Sequence, residues 1–119
     1  MKELAQTIAR LLYEKKARNI VALDVSGMTV ITDCMLIASG RNELQVRALA
    51  DEVEEQLAQQ GVLPLRKEGL REARWVVMDY DTVLVHLFRE EERGFYRLDQ
   101  LWDAGGNRLP LPFDGAAED

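Results

Sequence analysis

Apolar positions along this chain follow two different spacings. Leu4, Ile8, Leu11 and Leu12 recur three and four residues apart and make one stripe on a helix. The run NIVALDV at 19–25 reads as a buried strand, and SGMTVITD after it, with its glycine and polar residues, as irregular. CMLIASG, Cys34–Gly40, is a second buried strand ending at a glycine. Asn42 then stands as an N-cap, with Gln45 three residues on to complete a capping box. Val46, Leu49, Ala50, Val53 and Leu57 form the inward face of the helix that follows, and Gly61 suits its C-terminal stop. Asp51, Glu52, Glu54 and Glu55 fall largely on its other faces and read as a solvated surface. GVLPLRKEGL holds a short strand near 62–66, and Pro64 points to an edge position. A last helix is expected from about 91 to 102, with Phe95, Leu98 and Trp102 on one side. After Asp103 the composition shifts to glycine, proline and small residues, so 104–119 reads as a flexible tail, which Leu109, Leu111 and Phe113 could tack to the surface in part. The expectation is a single α/β domain over 1–103, with a mixed sheet of about five strands and flanking helices.

RWVVMDYDTVLVHLF gives the clearest local signal, two β-rich runs separated by a turn. A two-residue turn at Tyr80 and Asp81 sets Asp79 opposite Thr82, Val77 opposite Leu84 and Trp75 opposite His86. Alternation assigns Val76, Met78, Val83, Val85 and Leu87 to an apolar face that belongs to the core. The other face carries Trp75, Val77, Asp79, Thr82, Leu84, His86 and Phe88. Residues directly opposed on one face touch, so Trp75 and His86 are expected in contact. Two readings stand for this second face. Rings mixed with an acid and an imidazole suit a recognition surface. Alternatively, a helix covers Trp75 and Phe88, with His86 hydrogen-bonded beneath it. The combination of residues favours the first.

Composition narrows the function classes. The 119 residues are 47% hydrophobic and 30% charged, an ordinary globular balance. A chain of this length buries about two thirds of its unfolded surface, enough for one core. The lone Cys34 excludes an internal disulfide and fits a reducing compartment. The N-terminal run has no continuous signal-type apolar core, and no run has the ~20 apolar residues that cross a bilayer, so a soluble, cytoplasmic protein without membrane partners is expected. The net charge of -6 argues against wrapping nucleic acid and favours a basic partner.

Catalytic readings find little support. A Cys34–His86 nucleophile pair is conceivable, yet Cys34 lies in an apolar strand where a thiol is inert. Asp79 and Asp81 resemble paired acids that hold a metal, but they flank a turn, where aspartate is common for backbone reasons. ASGRNE and DAGGNR lack the features of a phosphate-binding loop. Neither a metal site nor a cofactor site is expected.

The runs ALDVSGMTVITDCMLIASG, VRALADEVEE, PLRKEG, WVVMDYDTVLVHLF and FYRLDQLW resemble, in order and spacing, the ribosomal silencing factor family (RsfS, also called Iojap-like). The resemblance covers roughly 4–103. It implies a nucleotidyltransferase-like α/β fold without that fold's catalytic equipment. It also implies a non-enzymatic role, binding large-subunit ribosomal protein L-fourteen and blocking union with the small subunit, and a homodimer when free. On the family's pattern this chain has Trp75 and Asp79 in one strand, Val85 with His86, Phe95 with Tyr96, and Glu68 with Gly69. Where relatives carry a glycine near the hairpin tip it has Tyr80 and Asp81. The resemblance implies ribosomal contact on the sheet-and-hairpin side. Together with the face derived above, the candidate partner-binding residues are Glu68, Trp75, Asp79, Tyr80, His86, Phe88 and Tyr96. Two other classes stay open: a metal-dependent nucleotidyltransferase using Asp79 and Asp81, and a dimeric scaffold whose aromatic face closes on itself.

Overall fold

Asn42 opens the longest helix among the described residues, α2 (Glu43–Gln59). Its side chain accepts from the Gln45 backbone N–H at 2.9 Å, and the Gln45 side-chain carbonyl accepts from the Arg41 N–H at 2.6 Å. The capping box therefore closes one residue ahead of the cap. At the other end Gly61, at φ +78°, donates to the Ala58 carbonyl, and Val62 donates to Leu57. This Schellman stop needs a left-handed residue, which glycine supplies without strain. The computed structural model, which describes residues 1–113, sets α2 beside α1 (Lys2–Glu14) on one face of a five-stranded sheet.

The strands are β1 (Arg18–Asp24), β2 (Cys34–Gly40), β3 (Arg66–Glu68), β4 (Trp75–Asp79) and β5 (Val83–Arg89), in the order β1-β2-β5-β4-β3. β2 and β5 run parallel, and the other neighbours are antiparallel. Every residue of β2 is buried, and every residue of β5 except Arg89, as befits central strands covered on both faces. On one side Ile8 and Leu12 of α1 and Leu49, Val53 and Leu57 of α2 pack on Leu36, Val76, Met78, Val85 and Leu87. On the other, Val21, Leu23, Met35, Ile37, Leu84 and Phe88 form a second cluster under Leu98 and Trp102. The apolar hairpin face expected from alternation thus faces α1 and α2, and helices cover both sides of the sheet.

Two expected elements differ in placement. The edge strand begins at Arg66, because Pro64 has no N–H and pairing starts with the Leu65 N–H on the Asp79 carbonyl at 2.7 Å. The single last helix is two, α3 (Glu90–Tyr96) and α4 (Leu98–Trp102), parted at Arg97 in the left-handed conformation (φ 52°). Gly94 weakens the turn before the break, and the reversal returns Asp99 to Arg93, which it meets at 3.1 and 2.7 Å. Phe95 consequently points outward, 79% exposed, and does not share a side with Leu98 and Trp102.

Residues 104–113 are not a free tail. The Asp24 N–H donates to the Asn107 carbonyl at 2.7 Å, Leu109 donates to Ala22 at 2.9 Å, and Leu23 bridges Arg108. Leu111 is buried in the core, and Phe113 stacks on Tyr13 at 4.3 Å. The segment covers the outer edge of β1, whose backbone would otherwise lie open to strand pairing. The rest of the expected tail, 114–119, lies outside the described residues.

Candidate partner-binding face

The hairpin register decides which side chains meet. Trp75 lies opposite Phe88, Val77 opposite His86 and Asp79 opposite Leu84, two positions from the expected pairing of Trp75 with His86. The Tyr80 N–H donates to the Val83 carbonyl at 2.9 Å, so the turn residues are Asp81 and Thr82. Asp81 takes the positive φ of 71°, and the Asp79 carboxylate accepts its N–H at 2.8 Å. This aspartate turn chemistry moves the loop one residue along. A slip of two preserves alternation, so the face assignment stands although the pairing does not.

That face is more covered than an open recognition surface would be. Phe88 is 0% and His86 5% exposed, sealed beneath the α3–α4 layer and Trp75. The expectation that both are open is corrected; a helix-covered histidine describes them. Tyr80 is corrected further, because it lies among the core residues on the opposite side of the sheet. Burial pushes its hydroxyl up to about 12, and that hydroxyl has no hydrogen-bond partner among the described residues.

Four of the expected residues reach solvent. Tyr96 and Glu68 are exposed, Trp75 and Asp79 half-buried. Register places Glu68 beside Val77 and Arg66 beside Asp79, so all four residues lie on one side. Asp79 also meets Arg66 at 3.4 Å. Gly69, at φ +83°, lies against the Trp75 carbonyl, where any Cβ would collide with backbone. Between Gly69, Arg71, Arg74, Trp75, Glu92 and Tyr96 the surface dips into a depression of about 460 Å³.

The Trp75 indole is held from several directions. Its N–H donates to His86 Nδ1 at 3.1 Å, and its ring stacks on Phe88 at 5.0 Å and meets Tyr96 at a tilt, 4.8 Å away. His86 Nε2 lies 3.3 Å from Met35 Sδ. Burial pulls the imidazole down to about 4, so it is neutral at neutral pH. The diagonal reach of the indole makes the expected Trp75–His86 contact despite the shifted register.

Sequence reasoning missed the ion pairs that anchor this layer. Arg89 grips Glu92 at 2.6 and 2.7 Å and Glu43 at 2.5 Å, tying α3 to the start of α2. Arg93 binds Asp99 and also donates to Ser39 Oγ at 2.8 Å. The crowded REEER run was the available signal, but charges that dense read as solvated surface unless partners are known. Cys34 faces the α1–α2 layer, opposite to His86, with its thiol pushed up to about 12 by burial. No thiol–imidazole pair is assembled.

Residues 1–117 match the family model described as "Ribosomal silencing factor during starvation". A ribosomal silencing factor of Halalkalibacterium halodurans is 41% identical over 100 residues, covering 84% of this chain and 86% of that one. One from Bacillus subtilis is 38% identical over 101 residues, with 85% and 86% covered. A crystal structure from Bacillus halodurans superposes with a TM-score of 0.82 at 37% identity, covering 93% of this chain and all of the other. With that α/β architecture and a match along nearly its whole length, the chain belongs to the ribosomal silencing factor family.

Proposed function

We propose that this protein represses translation by docking on large-subunit ribosomal protein L-fourteen and standing where the small subunit must approach. The observation that carries the reading is the solvent-reachable Trp75 and Tyr96 pair, stacked on a rigid base and flanked by the acids Glu68 and Asp79. Aromatic anchors of this kind dominate protein–protein binding. The net charge of -6 speeds encounter with a basic ribosomal surface. A body of 33 × 31 × 27 Å is large enough to obstruct a close interface by bulk alone. Repression on this reading is steric, takes place in the cytoplasm, and requires neither catalysis nor a cofactor; Asp79 and Asp81 act as turn residues. On the same reading the free protein is a homodimer.

Sedimentation with purified large subunits tests the reading. Co-migration is expected at physiological salt, with fewer complete ribosomes formed when small subunits are added. Failure to co-migrate, or normal subunit joining with the protein bound, would contradict it.

A further inference from the structure

His86 cannot touch a partner, being 5% exposed, yet it lies directly behind the ring on which docking depends. An indole nitrogen only donates, so His86 Nδ1, 3.1 Å away, must offer its lone pair. The imidazole proton then sits on Nε2, facing the Met35 sulfur at 3.3 Å, a weak acceptor. Stacking on Phe88 and the tilted contact with Tyr96 tolerate rotation of the indole within its own plane. The hydrogen bond does not. With its N–H turned inward, Trp75 shows the outside an apolar ring edge and no donor.

We propose that His86 is the positioning residue for Trp75: by accepting the indole N–H it fixes the ring's rotation and leaves an apolar edge outward. The partner surface that fits such an edge is aliphatic or aromatic, since a carbonyl or carboxylate set against it would find no donor on the indole itself. This rests on the docking reading, but its first test does not.

Nitrogen-resolved NMR of the full chain reads the histidine tautomer directly. A neutral ring protonated on Nε2, next to a slowly exchanging Trp75 indole proton, is the expected result. A proton on Nδ1, or a charged ring at neutral pH, would overturn the proposal. His86→Leu cannot accept the indole proton and should move the indole signal and weaken large-subunit binding about tenfold, the scale of one buried unsatisfied donor. His86→Asn, whose amide oxygen can stand where Nδ1 stood, should restore most of both. A folded His86→Leu protein with parental affinity would also overturn the proposal. Should that variant fail to fold, the tautomer and His86→Asn decide. If the unaltered chain does not bind large subunits, the docking reading fails, and the tautomer and indole signals still judge the positioning claim.

Discussion

Gly69 lies against the carbonyl of Trp75 so closely that a side chain there would overlap backbone. Its φ of +83° adds a conformation that other residues adopt only with strain. Gly69→Ala should therefore cost about 2–4 kcal/mol of stability and displace the start of β4, where Trp75 sits. Denaturant titration checks the first effect. A midpoint equal to the parent's would show that the loop has room the structure denies.

Acid should loosen the layer under Trp75. His86 has a folded value of about 4 against an ordinary 6.5, lowered by burial. Between those values the unfolded chain takes up a proton that the folded chain excludes. The contribution is thus fully present above about pH 6.5 and is lost as pH falls toward about 4, an effect on the order of 3 kcal/mol. Comparing stability–pH curves of the parent and His86→Leu isolates it from the carboxylates. The parent should fall more steeply across that window, and parallel curves would contradict the assignment.

Arg93 joins α3, α4 and β2 through Asp99 and Ser39. Burial pushes the Asp99 carboxyl up, but its hydrogen bonds and attraction to Arg93 outweigh that and hold it below the usual range. Arg93→Ala should raise the Asp99 value and destabilise the fold by about 1–3 kcal/mol, because a buried hydroxyl and a partly buried carboxylate lose their partner. NMR titration of Asp99 gives the first readout and thermal melting the second. No change in either would mean that the pair is ornamental.

Deleting residues 104–119 should destabilise the protein by about 2–4 kcal/mol, through lost burial of Leu109, Leu111 and Phe113. It should also raise aggregation by baring the β1 edge. Melting and light scattering check both. A truncated chain as stable as the parent would restore the tail reading.

What could be read in advance followed from local chemistry. The cap at Asn42, the stop at Gly61, the five inward residues of α2 and the bounds of β2 each depend on neighbours a few positions away. The division of hairpin faces was legible because alternation survives a register slip of two. The register itself turned on which residue accepted a positive φ, and Asp81 looks no different in sequence from other turn aspartates. Burial of His86 and Phe88 depends on Leu98, Trp102 and the break at Arg97, a tertiary arrangement that leaves no periodic mark. The 104–113 segment pairs with β1 through backbone groups, which no side-chain pattern announces.

Equilibrium binding of the full chain to purified large subunits, with Trp75→Ala beside the parent, tests the central claim most directly. Folding of the variant is checked by its NMR spectrum. Trp75→Ala should weaken binding by about 2 kcal/mol or more, as truncated anchors do. A folded Trp75→Ala protein that binds large subunits as tightly as the parent would contradict the account.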